Sequence, residues 1–120
     1  MKAEERAKTL LKTSGILVYD PGEYAGECKA PYAVVHRSGR YPTIHGRRLC
    51  YYLLTVSCYV PVGREDTAKL DALAEKVKGC MRKMVAQAKP TGNESPDAIK
   101  SQYKALARGI EYIVLNAQKE

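Results

Sequence analysis

Apolar and polar positions change rhythm several times along the chain, and each rhythm predicts an element. Between residues 2 and 13, Ala3, Ala7, Leu10 and Leu11 recur at three- and four-residue spacing, and Glu4 precedes Lys8 by one turn. This is the pattern of a short amphipathic helix, which Ser14-Gly15 ends. ILVY (16–19) is apolar and partly β-branched and reads as a strand, whereas DPGEYAGECKA (20–30) has no period and reads as a loop. PYAVVHR (31–37) is a second strand, with Pro31 at its first position, where a missing N–H is tolerated.

The clearest alternation runs from Leu49 to Val60. Its even positions are Cys50, Tyr52, Leu54, Val56, Cys58 and Val60, and its odd positions include Thr55 and Ser57. One face suits a core and the other is mixed, as in an antiparallel sheet covered on one side. After the break PVGRED, the period becomes helical. Leu70, Leu73, Val77, Cys80, Met81, Met84 and Val85 form one stripe of a helix expected over 66–88. Acids (Glu65, Asp66) open it and bases (Arg82, Lys83, Lys89) close it, the polarity the helix dipole favours. Its polar face carries Lys69, Lys76 and Lys83, seven apart.

KPTGNESPD breaks the chain again. Ser95 as N-cap and Pro96 at the first helical position predict a short helix to about residue 107, with Ile99, Tyr103 and Leu106 inward. Gly109 stops it, and IEYIVL (110–115) is a last strand. Its continuous apolar end predicts a strand inside the sheet, covered on both faces. The expected order is α-β-β-β-α-α-β. The expected fold class is α+β: one two-layer domain over residues 1–120, a mostly antiparallel four-stranded sheet covered by a long amphipathic helix.

At 120 residues the chain is long enough to bury a core without cross-links. With 45% hydrophobic and 28% charged residues it has a globular balance. Phe and Trp are absent, so the nine Tyr carry all aromatic surface, which suits core edges, sheet surfaces and interfaces. Cys28, Cys50, Cys58 and Cys80 show no C-x-x-C spacing, so they read as reduced thiols acting as small core hydrophobes, not as metal ligands. The first residues lack the apolar region of a signal peptide, and no run approaches the about 20 apolar residues of a membrane helix. A cytoplasmic protein with no membrane partner is therefore expected.

The net charge of +7 favours acidic partners. The charge concentrates in HRSGRYPTIHGRR (36–48), with six potentially cationic residues in thirteen and no acid. Ser38-Gly39 and His45-Gly46 are turn signals and Pro42 interrupts a regular strand, so this is a hairpin tip. Arg37, Arg40, Tyr41, His45, Arg47 and Arg48 are its candidate contact residues. No phosphate-binding glycine loop, zinc helix motif or nucleophile elbow occurs, and both histidines lie in or beside the hairpin. No cofactor and no enzyme activity are expected.

The order of a short helix, I-L-V-Y, P-Y-A-V-V, a hairpin, Y-Y-L-L-T-V-S-C-Y-V-P, the helix TAKLDALAEKVKGCMRKM and R-G-I-E-Y-I-V-L resembles the small tail-terminator (tail-completion, head–tail joining) proteins of long-tailed bacteriophages and prophages. The resemblance spans nearly the whole chain. It implies a homo-oligomeric ring, usually a hexamer, that caps the tail tube, meets tube protein and head–tail connector, and lets DNA pass. It also implies assembly in the bacterial cytoplasm and residence in the virion neck. It carries no catalytic residues, and the basic hairpin departs from it. In that setting the hairpin faces the lumen or a partner protein. The alternative is a basic nucleic-acid-binding module using the same hairpin with the lysine face, whose binding weakens steeply with salt.

Overall fold

The computed structural model describes residues 2–117 apart from 25, 40, 44 and 45; at 42, 43, 46–49, 116 and 117 it describes the backbone alone. The elements are α1 (Ala3–Thr13), β1 (Val18–Tyr19), β2 (Tyr32–Arg37), β3 (Tyr41–Thr43), β4 (Gly46–Pro61), α2 (Asp66–Met81), β5 (Lys89–Glu94), β6 (Ala98–Lys100) and β7 (Ala105–Ala117). The fold is α+β, with its helices on one face of a mixed, mostly antiparallel sheet.

The expected strand count and order need correcting. Seven strands form one sheet, in the order β1-β2-β4-β7-β5. β3 continues the row of β2 along β4, and β6 continues the row of β5 along β7. The sheet thus has five rows, not four. The extra row comes from the segment expected to be a break, 89–94, and from the start of the segment expected to be a helix, 98–100. Ala98, Ile99 and Lys100 face Ala107, Leu106 and Ala105 across an antiparallel ladder, and only Ser101–Tyr103 turn helically, as a 3-10 turn. Pro90, Gly92 and Pro96 suit this row, because an edge strand does not need every N–H. Ile99, expected inward, is 66% exposed, and Leu106 is buried.

β4 and β7 pair from Leu49–Ala117 to Pro61–Ala105 and form the spine. The even residues of β4 from Cys50 to Val60 are all buried, as their alternation predicts. Burying each of the larger ones contributes roughly 1.5–3 kcal/mol. β7 lies inside the sheet, but over residues 110–115 no helix of the described residues covers its second face, whereas Ala105 and Ala107 on that face are buried. Ile110, Tyr112 and Val114 point into the core, while Leu115 is 60% exposed.

Two helices, not one, make the second layer. α1 packs over β1 and β2, and α2 over β4 and β7. They run antiparallel, since Arg6 reaches Lys83 and Gln87 while Ser14 meets the Cys80 thiol at 3.0 Å. α2 ends at Met81, short of residue 88, and a 3-10 turn (Arg82–Met84) follows. Gln87 and Ala88 both donate to the Met84 carbonyl, which turns the chain so that Lys89 can pair with Ile113. Val85, expected in the buried stripe, falls in this turn and is exposed.

Candidate functional site

The basic hairpin does not form one patch. Arg37 pairs with Leu54, so it points to the helix side of the sheet. There its guanidinium lies 3.4 Å from Glu4 of α1 and 5.0 Å from the centroid of the buried Tyr52 ring. Tyr41 pairs with Tyr51 and stacks on it on the opposite face, with centroids 5.2 Å apart. Arg40 and His45 lie outside the described residues. Arg47 and Arg48 occupy the first turn-proximal positions of β4, where the backbone alone is described. His36 is exposed on the Tyr41 side, with Nε2 3.5 Å from the Ser57 hydroxyl.

The surface that stands out is the uncovered face of the sheet. The odd residues of β4 (Tyr51, Leu53, Thr55, Ser57, Tyr59) are half-buried, and among the described residues neither α1 nor α2 lies over them. At one end Tyr19, Tyr24, Tyr32, Tyr59 and Tyr103 pack together around Cys28 and Ala105. Tyr32 stacks on Tyr59 at 4.8 Å, and burial pushes its phenol up to about 12. At the other end Tyr41, Tyr51, Leu53, Ile113 and Leu115 leave ring and aliphatic surface open.

Between these ends is a groove of about 750 Å³, floored by Thr55, Ser57 and Glu111 and walled by residues 93–96. The wall is fixed from below. Ser95 Oγ accepts the Gly109 N–H at 2.6 Å, and Ser95 N donates back to the Gly109 carbonyl at 2.9 Å. The Glu111 carboxylate accepts from the Thr91 hydroxyl at 2.9 Å and the Asn93 amide at 3.0 Å. Sequence reading misses this groove because 93–94 read as part of a break and Ser95-Pro96 as a helix start. The polar odd positions Thr55 and Ser57 were its signal.

Neither Cys58 nor Cys28 is set to act as a thiolate nucleophile. Burial pushes the Cys58 thiol up to about 12 and raises Cys28, so both stay protonated at neutral pH. All four cysteines are buried, and none is in a disulfide. Among the described residues, no three His, Cys, Asp or Glu are grouped to hold a metal ion, and no helix is long and apolar enough to cross a membrane. What the face can do is bury area against another surface. Its tyrosines supply large, stiff contact area and its central hydroxyls supply hydrogen bonds.

No protein-family model matches the chain, and no curated protein matches it.

Proposed function

We propose that the chain is a structural assembly protein of the phage tail-terminator kind, a subunit that closes into a ring, most often of six, on the end of a tail tube. The observation that carries this reading is the one-sided sheet: helices on one face, and on the other a face whose end at Tyr41, Tyr51, Leu53, Ile113 and Leu115 has no helix of the described residues over it. The length of the molecule, 49 Å against 26 and 25 Å, supports it too, because the β3–β4 hairpin extends the spine away from the helix layer. Both sheet edges are short or broken, which disfavours open-ended edge pairing and leaves the face and hairpin for subunit contact. The role is non-catalytic. Its partners are further copies of the chain, tube protein and head–tail connector, and DNA passes without sequence readout. The setting is the bacterial cytoplasm during assembly and the virion neck afterwards.

The test is absolute mass by light scattering after size exclusion, over a range of concentration, alone and with tail tubes from the same genome. A discrete ring, free or on tube ends, is expected. A monomer that binds no tube at high concentration overturns the reading. A nucleic-acid module built on the 36–48 hairpin gains nothing from Arg37, which Glu4 and Tyr52 already engage.

A further inference from the structure

The two flanks of α2 carry opposite kinds of charge arrangement. On the flank facing β5–β7, acids and bases are knitted together. Asp71 meets Arg108 at 2.6 Å, and Lys78 meets Glu94 at 2.9 Å and Glu75 at 3.6 Å. On the flank facing α1 the row is Lys69, Lys76 and, in the following 3-10 turn, Lys83, all exposed. Among the described residues none of the three has an acidic group within ion-pair distance. Arg6 of α1 extends the row, because its guanidinium reaches the Lys83 carbonyl at 3.4 Å and not a carboxylate. Of the two first-turn acids of α1, Glu4 is turned away to Arg37, and the exposed Glu5 is in no ion pair with Arg6.

We propose that this seam between α1 and α2 binds the phosphate backbone of double-stranded nucleic acid without reading sequence. Seven residues of helix rise about 10 Å, so the row is about 20 Å long, enough to meet phosphates on both banks of a groove about 12 Å wide. The strip beside the lysines is low. Ala72 is exposed there, and a Cβ built on Gly79 would meet nothing within 4 Å, so a backbone can approach closely. Lysine ammonium groups act on phosphates as point charges on flexible stems. An interface with an acidic protein instead favours Arg together with large apolar anchors; this row is mainly lysine, with Arg6 at its end, and the strip beside it, at Ala72 and Gly79, offers no large apolar side chain. Neither helix contains an aromatic residue, so no platform exists for stacking the bases of a single strand. This surface is on the opposite side of the sheet from the proposed assembly face, and it stands or falls separately from the ring.

The experiment is fluorescence anisotropy of the full chain with a mixed-sequence 30-base-pair duplex over a salt series. The seam variant is K69Q/K76Q/K83Q. The control, K29Q/K89Q/K100Q, removes the same charge elsewhere. Wild type is expected to bind at low salt with a log–log slope of about −3 to −4, from three lysines and Arg6. The seam variant is expected to bind at least tenfold more weakly with a slope flatter by about 2.7, and the control to change less than threefold. No binding at low salt overturns the proposal. So does an equal loss in the control, which would mean net charge alone. If poly-glutamate displaces the duplex at equal charge, an acidic protein is the better partner and the proposal falls.

Discussion

Arg108 of β7 and Asp97 form a two-pronged ion pair, with Nε on Oδ1 at 2.7 Å and an Nη2 on Oδ2 at 3.0 Å. The same Nη2 also meets Asp71 of α2 at 2.6 Å. One guanidinium thus ties the last strand, the loop before β6 and the main helix, and it is only 16% exposed. A planar fork suits this better than an ammonium does.

Arg108→Ala is expected to lower stability by about 2–3 kcal/mol, since it removes charged hydrogen bonds and leaves two carboxylates side by side. Arg108→Lys should recover less than half of that, because a point charge cannot keep both prongs. Asp71→Asn, at a more exposed partner, should cost less than about 1 kcal/mol. Urea denaturation of the three variants checks the ranking. If Lys matches Arg, the fork does not matter.

Arg108 also holds the Asp97 carboxyl below its ordinary value. Such a group stabilises the fold above the unfolded carboxylate range, near pH 4, and the contribution is lost as pH falls through the lower folded value. Stability should therefore drop on acidification below about pH 4, and the drop should be shallower in Arg108→Ala. Parallel slopes for the two proteins would contradict this.

The alkaline limb has the opposite sign. Burial pushes Tyr112 and Tyr32 to about 12, and Cys58 likewise to about 12. Their unfolded values are near 10 for Tyr and 8.5 for Cys, so the unfolded chain loses these protons first. Stability should fall as pH rises from about 9 towards 12, and absorbance at 295 nm should show several tyrosines ionising together with unfolding. Iodoacetamide at pH 8 should label native Cys58 and Cys28 far more slowly than the denatured chain. Rapid labelling of either would show that the site opens readily.

How far the sequence reveals this fold depends on which local rule the tertiary pairing obeyed. β4 was legible because one side of the sheet is covered, so burial follows strict alternation from Cys50 to Val60. α1 and the start of α2 were legible for the matching helical reason. Residues 95–107 were misread because Ser95-Pro96 imitates a helix start and Ile99, Tyr103 and Leu106 happen to fit its spacing. The free edge of β7 supplied a ladder that outweighed that weak propensity. The Arg108 knot and the groove were not legible, since both join residues distant in sequence, Asp71 and Asp97 in one case and Thr55 and Ser95 in the other. The Arg residues of 36–48 look alike in sequence. The pleat sends Arg37 and Tyr41 to opposite faces.

Gly109 is where the groove wall meets its floor. A Cβ there would come within 3.3 Å of the Ser95 hydroxyl and 3.4 Å of a Thr55 methyl. Gly109→Ala should push Ser95 off the Gly109 N–H, at a cost of about 1 kcal/mol. Amide exchange should quicken locally at residues 93–97 and 109 while the β4–β7 spine stays protected. Uniform quickening would mean that the wall and the spine open as one unit.

Assembly and folding are separable on the open face. Leu115 is 60% exposed and Ile113 only half-buried, and neither belongs to the core cluster beneath the helices. Replacing both with Lys removes apolar surface that an interface would bury while leaving the core intact, so the unfolding free energy of the isolated chain should change by no more than the about ±0.5 kcal/mol typical of surface positions. A ring packed through this face would then have to bury two charges in every contact, which costs several kcal/mol per interface. Light scattering should show the double variant as monomer under conditions where wild type assembles. A variant that assembles normally would exclude this end of the face from the subunit contact. A variant that unfolds would show that the outward residues of β7 support the sheet as well. The single Leu115→Lys change, at the more exposed of the two sites, then tests the contact without that complication.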